Sequence, residues 1–313
     1  MVQKNSLKKR ILIICGPTAS GKTALAIECA KLLNTEIISA DSMYIYKKLS
    51  IGTAKPSFEE MSGIKHHIID VVNPDENFSV SDYRNLALPI IDSLIDNNKI
   101  PIICGGTGFY INSILYDLSY GHGSANIEVR EKYKELAKTY GNEYVYEHLK
   151  SVDLDSAKKL HFNDLKRVIR ALEIYYGGTK KSEIKDDFTP KYDYKAYSIN
   201  HDRATLYDRI NRRVDKMISD GLIDEIKDLL DSGVTKDAQC MQAIGYKEIL
   251  EYFENNITLE QAIELIKLNS RHYAKRQMTF FKKLNVEQLE PTDVKILAKK
   301  IVDGINDDYH GTY

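Results

Sequence analysis

The sequence lacks long apolar runs, closely spaced cysteines and any excess of charge, and each absence excludes a class of protein. No apolar run approaches the ~18 residues of a membrane span, and the run 11–15 is shorter than the ~7–15 apolar residues of a signal peptide. The four cysteines have no C-x-x-C spacing, which argues against a zinc site or a disulfide framework. With 44 Lys and Arg against 45 Asp and Glu, nucleic-acid binding would require local patches. We therefore expect a cytoplasmic protein without membrane attachment.

What is present is an ordinary globular composition in which short apolar strands alternate with helices. The 313 residues suit one large domain or two. Buried strands are predicted at 11–15, 36–40, 65–72 and 100–104, and helices at 22–33 and 81–97, the latter with Ser81 as its N-cap. Such alternation is typical of a parallel α/β sheet.

The alternation stops between residues 118 and 195. This segment has helical patterns but no buried strand, at 128–138, 144–149 and 164–176. A strand at 197–200 then returns to the sheet, and long helices follow at 203–220, 222–232 and 259–284. We predict a core formed by residues 1–117 and 196–313, with a helical insertion domain at 118–195.

The first strand leads into a sequence that fits G-x-x-x-x-G-K-[ST] at every fixed position. Its residues are Gly16, Pro17, Thr18, Ala19, Ser20, Gly21, Lys22 and Thr23. A strand before the motif and a helix after it are the context that a P-loop requires. Backbone N–H groups and the helix N-terminus attract phosphates, Lys22 adds a charge, and Thr23 can coordinate Mg²⁺. The motif predicts polyphosphate binding without specifying the polyphosphate.

Other candidate site residues follow neighbouring strands. Asp41 ends the second strand, and ligands of open α/β sheets bind at the carboxyl ends of strands. Asp41 is therefore a candidate general base or metal ligand, with a helix cap or loop acid as the alternative. Asp70 is a second candidate for a magnesium-side acid. The turn at 105–108 lets the backbone approach a ligand closely at the same edge.

Two segments concentrate positive charge. Residues 158–170 contain five basic residues against one acid, and residues 264–283 contain six against one, with aromatic residues interleaved. Basic and aromatic residues together suit single-stranded RNA, whereas a solvated amphipathic face is the alternative.

Taken together, these segments resemble the tRNA dimethylallyltransferase (isopentenyl-pyrophosphate:tRNA transferase) family. The resemblance extends over nearly the whole chain, at residues 16–23, 41–42, 51–56, 66–70, 78–80, 105–110, 163–164, 167–173, 209–210, 213–214, 242–248 and 274–277. Three positions depart from the family pattern: Tyr44 stands where Gln is usual, Phe162 where Pro is usual, and Phe280 where Trp is common. The zinc finger of eukaryotic relatives is absent, which indicates the bacterial type.

The resemblance implies a P-loop NTPase-like core and transfer of a dimethylallyl group from dimethylallyl diphosphate to N6 of adenosine 37 of tRNA, beside the anticodon. It makes Asp41 the candidate base at N6. It also places Thr18 and Arg213 on the donor diphosphate. Mg²⁺ is the expected cofactor, with Thr23 as its protein ligand.

The resemblance also implies an RNA surface. The matching residues are Asp41, Ser42, Met43, Tyr44, Thr107, Lys166, Arg167, Val168, Ile169, Arg170, Gln242, Ala243, Ile244, Gly245, Tyr246 and Lys247. The second basic segment adds Arg271, Lys275 and Arg276. We expect the insertion to clamp the anticodon arm of a tRNA bound to a monomer.

Two other functions fit the residues without the resemblance. A small-molecule or nucleotide kinase would use Asp41 to activate a hydroxyl, with Arg209 and Arg213 as lid arginines. An RNA-binding switch would bind a nucleoside triphosphate without transferring an allyl group.

Overall fold

The chain consists of two compact units in the computed structural model, which describes residues 9–119 and 126–310, without the side chains of 307–310. The core unit comprises Met1–Leu115 and Pro190–Tyr313, and the insertion unit comprises Tyr116–Thr189. The second boundary precedes the predicted 195 because the returning strand starts at Asp193, and residues 193–197 pair with the first strand.

The core unit is built on a parallel sheet of six strands in the order β3-β2-β4-β1-β5-β6. The strands are β1 (Arg10–Cys15), β2 (Ile37–Ser39), β3 (His66–His67), β4 (Ile102–Gly105), β5 (Asp193–Ile199) and β6 (Val286–Leu289). In the interior strand β1, Ile11 to Cys15 are at most 1% exposed. Burial on both faces explains why this strand is an unbroken apolar run.

The helices surround this sheet or form the insertion unit. In chain order they are α1 (Lys22–Leu33), α2 (Phe58–Met61), α3 (Val80–Asp96), α4 (Gly108–Leu115), α5 (Ile127–Tyr140), α6 (Asn142–Val152), α7 (Leu154–Ala157), α8 (Leu165–Tyr176), α9 (Arg203–Ser219), α10 (Leu222–Asp231), α11 (Tyr246–Phe253), α12 (Leu259–Phe281) and α13 (Val294–His310). Among the residues that the structure describes, none of these helices combines the length and apolarity needed to cross a bilayer.

Two sequence predictions need correction. The predicted strand 65–72 is only two residues long because the backbone turns into the left-handed region at Ile68 (φ 60°) and Asp70 (φ 55°). The third helix begins at Val80 rather than Ser81, and Ser79 is its N-cap. The Ser79 hydroxyl accepts from the Asp82 N–H while the Asp82 carboxylate accepts from the Ser79 N–H.

The insertion unit has a core of its own, formed by α5 to α8. Tyr133, Val145, Leu149, Val168 and Leu172 are completely buried within it. An apolar core shared by four helices accounts for the unit's compactness.

Candidate active site

The P-loop has the backbone conformation that its glycines permit. Gly16 and Gly21 have φ values of 140° and 93°, a region that disfavours side chains. A Cβ at Gly16 would lie 2.6 Å from the Ser198 Oγ on strand β5. The loop therefore passes so close to a neighbouring strand that glycine is required, and it delivers Lys22 to the first turn of α1.

Side chains from distant parts of the core unit brace this loop. His201 Nε2 lies 2.9 Å from the Ser20 carbonyl oxygen, and Arg209 Nε donates to the Ala19 carbonyl at 2.7 Å. Arg209 comes from α9, so this helix contacts the loop directly.

Gln277 ties the P-loop to the second glycine turn. The Thr18 N–H donates to Gln277 Oε1 at 3.0 Å, and Gln277 Nε2 donates to the Gly106 carbonyl at 2.9 Å. The residue is 5% exposed, and a Cβ at Gly106 would lie 2.1 Å from its Nε2. Sequence reasoning did not assign Gln277 a site role, because nothing in its helical spacing indicates which backbone groups it satisfies.

Asp41 lies where β2 ends, in a segment held against the same glycine turn. Its Oδ1 accepts from the Met43 N–H at 2.9 Å, and the Ser42 N–H donates to Thr107 Oγ1 at 3.0 Å. The Asp41 carboxylate is also close enough to Lys22 to favour the charged ammonium. The P-loop, Asp41 and Thr107 are therefore brought together at the carboxyl ends of neighbouring strands.

Burial controls the charge of Lys22. Removal from water lowers the pKa of its ammonium below 10.5, the nearby Arg213 lowers it further, and the Asp41 carboxylate partly opposes both. Its Nζ donates to the Pro17 carbonyl at 3.2 Å. A diphosphate beside this ammonium would stabilise the charged form.

Arg213 and Tyr44 meet on one short loop. Arg213 Nη2 donates to the Thr53 carbonyl at 3.1 Å and the Ala54 carbonyl at 3.4 Å, and the Tyr44 hydroxyl donates to Ala54 at 2.9 Å. Burial raises the pKa of Tyr44, and Asp41 raises it further. Within the described parts of the chain, the buried Arg213 Nε and Ser20 Oγ lack a hydrogen-bond partner. The Ala54 carbonyl thus holds the side chains of Arg213 and Tyr44 together.

A groove of about 840 Å³ runs past these groups. Residues 19–23, Tyr44 and Arg213 line it, whereas Asp41 and Thr18 do not. Its cationic lining residues are Lys22, Arg209, Arg212, Arg213, Lys216 and Lys295, and its acids are Glu28, Glu60 and Asp293. The excess of positive charge suits an anionic ligand.

The donor set for a metal is small. Thr23 lines the groove, and among the described residues no group of three His, Cys, Asp or Glu side chains could hold an ion. Asp70 pairs with Lys55 at 2.6 Å, which argues against its role as a magnesium-side acid. A single protein hydroxyl suits Mg²⁺, whose remaining ligands can be phosphate oxygens and water. It does not suit a metal that takes all its ligands from the protein.

The predicted RNA segments contain both exposed and buried residues. Lys166, Arg167, Gln242 and Lys247 are exposed, with Arg167 also paired to Asp164 at 3.2 Å. By contrast, the side chains of Val168, Ile169 and Tyr246 are at most 4% exposed, and those of Val168 and Ile169 lie in the insertion unit's core. Burial leaves the backbone, and not these three side chains, as the part of each residue that an RNA could contact.

The remaining residues of the predicted RNA segments differ in how far they are buried. Met43 and Thr107 are half-buried, as are Ala243 and Ile244, whereas Gly245 is buried with φ 99°. The buried glycine permits the turn into α11.

In the insertion unit, two arginines share one buried carboxylate. Arg130 donates to Glu173 through Nε at 2.6 Å and Nη2 at 3.2 Å, and Arg170 donates to it at 2.9 Å. The Glu173 side chain is 1% exposed, while those of the arginines are 40% and 35% exposed. Sequence reasoning missed Arg130 because this pair is formed between two helices distant in sequence.

The basic residues of α12 are arranged unevenly. Arg271 donates to Asn211 Oδ1 at 2.7 Å and lies over the Tyr207 ring, whereas Lys275 and Arg276 are exposed. Lys275 and Arg276 are thus the more accessible cations of this helix.

Phe280, at the position where Trp is common, packs tightly on α4. A Cβ at Gly108 would lie 2.2 Å from its ring, and its centroid is 5.6 Å from that of Phe109. An aromatic face is therefore kept beside the glycine turn. Phe162 lies in the insertion unit, 4.3 Å from the His161 ring.

These features define a P-loop α/β protein with a cationic groove beside the loop and an acid, Asp41, that comes from the end of another strand of the sheet and lies near Lys22. The family profile described as IPP transferase matches residues 44–284, which is most of the chain. The chain belongs to this family of tRNA prenyltransferases.

Individual relatives and solved structures agree with this assignment. The chain is 48% identical to a tRNA dimethylallyltransferase of Thermoanaerobacter sp. strain X514, over 93% of this chain and 98% of that protein. A crystal structure of the full-length tRNA isopentenylpyrophosphate transferase from Bacillus halodurans superposes with a TM-score of 0.72 at 40% identity, covering 97% and 99% of the two chains. A eukaryotic dimethylallyltransferase acting on tRNA gives a TM-score of 0.77 at 29% identity, over 96% of this chain and 79% of the other. The predicted family and fold are thereby confirmed.

Proposed function

We propose that this protein transfers the dimethylallyl group of dimethylallyl diphosphate to N6 of adenosine 37 of tRNA. The observation that carries the proposal is a P-loop beside a cationic groove that Lys22 and Arg213 line, with the Asp41 carboxylate near Lys22. A tRNA substrate implies a cytoplasmic location.

The transfer requires both an acid near N6 and a cationic site for the diphosphate. The adenine N6 lone pair is delocalised into the ring, so a carboxylate that takes the N6 proton as the bond forms lowers the barrier. Asp41 is the residue we assign to this step. As N6 bonds to the allylic carbon, the carbon–oxygen bond breaks and the diphosphate leaves with the electron pair.

The departing diphosphate needs stabilisation of its developing charge. Lys22 and Arg213 supply cations, and the P-loop N–H groups supply dipoles. Thr18 is assigned to the donor's bridging oxygen or phosphates through its hydroxyl, while its N–H is held by Gln277. A Mg²⁺ held by Thr23 and the diphosphate would further neutralise the leaving group.

The test is incubation with labelled dimethylallyl diphosphate and unmodified tRNA, followed by nucleoside analysis. Label should be found as N6-dimethylallyladenosine at position 37. Absence of label in tRNA, together with phosphate transfer from ATP, would favour a kinase function instead.

RNA binding is assigned to the insertion unit and to exposed residues of α12. Substituting Lys166, Arg167 and Arg170 by Ala should weaken tRNA binding. The salt dependence of affinity should also flatten, by about 0.9 slope units for each duplex phosphate that these side chains neutralise in the native complex. An unchanged slope would transfer the RNA site to Lys275 and Arg276.

A further inference from the structure

Glu225 on α10 holds a loop by three consecutive backbone groups. Its Oε2 accepts from the Ser50 and Ile51 N–H groups at 2.7 Å each, and its Oε1 accepts from the Gly52 N–H at 3.1 Å. A carboxylate suits this position because three converging N–H donors present only positive partial charge.

The carboxylate is itself fixed from the other side. The Tyr246 hydroxyl donates to Glu225 Oε1 at 2.6 Å, and Tyr246 is completely buried. At Gly52, a Cβ would lie 2.7 Å from both the Leu222 and the Tyr246 side chains. The loop is thus pressed against α10 and α11 with no space for it to shift toward them.

The next residues of this loop are the ones that orient Arg213. The Thr53 and Ala54 carbonyls accept from Arg213 Nη2, and Ala54 lines the groove. Because residues 50–52 are bound by Glu225, the carbonyls one and two residues later have a fixed position. Glu225 does not line the donor groove itself.

We propose that Glu225 is a positioning residue for the transfer: it fixes the loop 50–54, and through it the position of the Arg213 guanidinium at the groove where the diphosphate leaves. The expected effect on kcat rests on the proposed function. The contacts of Glu225 with the loop do not depend on it. Glu225→Gln presents an amide NH₂ to N–H donors, which loosens the loop without removing any group that contacts the donor.

The experiment is a double-substitution cycle of Glu225→Gln and Arg213→Gln, with kcat and KM measured for donor and tRNA. Glu225→Gln should lower kcat by up to about 10²-fold, the loss that a misplacement of about 1 Å can cause. KM for tRNA should stay near the wild-type value. The double variant should be no slower than Arg213→Gln alone, because Glu225 acts only through Arg213. The matched control Asp228→Asn, at an exposed acid on the same helix, should leave kcat unchanged.

The proposal would be overturned if the loss of kcat in the double variant equalled the product of the two single losses. A nearly normal kcat for Glu225→Gln would also overturn it. Tyr246→Phe provides a second test in case Glu225→Gln does not fold. It removes the hydroxyl that donates to Glu225 but keeps the carboxylate and its three N–H bonds. It should lower kcat by several-fold in the wild-type background and not in Arg213→Gln; an equal loss in both backgrounds would contradict the proposal.

A binding measurement separates this proposal from the proposed function. Inorganic diphosphate should bind more weakly to Glu225→Gln and to Arg213→Gln, with no further loss in the double variant, even if the wild-type protein transferred no dimethylallyl group. Unchanged diphosphate affinity in Glu225→Gln, alongside weakened affinity in Arg213→Gln, would overturn the positioning role while leaving the proposed function intact.

Discussion

Replacing Gln277 by Met should separate the P-loop from the second glycine turn at little change in side-chain volume. The native amide accepts from the Thr18 N–H and donates to the Gly106 carbonyl, and Met can do neither. Gly106 is buried, so its carbonyl loses a partner that water cannot easily replace, whereas the half-buried Thr18 N–H can regain water.

The expected loss of stability follows from the environments of the Gly106 carbonyl and the Thr18 N–H. An unsatisfied buried polar group costs about 1–3 kcal/mol, and only the Gly106 carbonyl is left without a partner, so we expect Gln277→Met to lower the free energy of unfolding by about 1–3 kcal/mol. Gln277→Glu should lose at least as much, because its carboxylate cannot donate and would place a buried charge against the Gly106 carbonyl oxygen. Urea denaturation followed by far-UV circular dichroism measures both.

The same substitution should weaken donor binding, because Thr18 loses the anchor that orients it. KM for dimethylallyl diphosphate is expected to rise, with KM for tRNA little changed. Lys275→Met, at an exposed position of the same helix, is the stability control and should stay within about 0.5 kcal/mol of wild type. If Gln277→Met were as stable as this control and bound donor normally, the bridge would be energetically unimportant and the reasoning refuted.

Three further predictions concern charge. Asp41→Asn should slow transfer by about 10²–10⁴-fold with a smaller change in tRNA affinity, and near-normal single-turnover rates would exclude Asp41 as the base. Because the pKa of Lys22 is lowered, its charge is lost below pH 10.5 as the pH rises. The affinity for diphosphate should therefore fall as the pH rises toward 10.5. Calorimetric titrations of Lys22→Met should not show this pH-dependent fall. Glu173→Gln should lower the free energy of unfolding by about 1–3 kcal/mol, since Arg130 and Arg170 lose a shared buried acceptor but keep partial access to water; thermal denaturation at several ionic strengths checks this.

The sequence predicted those parts of the site whose constraints are local. The P-loop, its preceding strand and α1 could be placed because glycines, an apolar run and a helical period lie next to one another along the chain. Asp41 could be placed beside Lys22 because parallel strands end at a common edge.

The unpredicted parts depend on contacts between distant segments. Gln277 and Glu225 bind backbone groups more than a hundred residues away, and neither residue type signals such a partner. Strand β6 was missed because Val286–Leu289 is short and half polar, so only its pairing with β5 defines it. Tyr246 was predicted as an RNA contact because it lies in a family motif. A motif does not distinguish a residue that contacts the substrate from one that packs inside the protein, as the buried Tyr246 side chain does.

The placement of the insertion between β4 and β5 affects how the chain must fold. Strand β1 pairs with both of these strands, yet β5 is synthesised only after the whole of Tyr116–Thr189. During synthesis, the four strands β3-β2-β4-β1 therefore have an unpaired edge at β1, while the insertion unit, whose contacts are local, can already fold. An early-forming insertion shortens the effective loop that β5 must close, and so lowers the entropic barrier to completing the sheet. We therefore expect the insertion to speed completion of the sheet that carries the P-loop, an effect separate from any role in binding RNA.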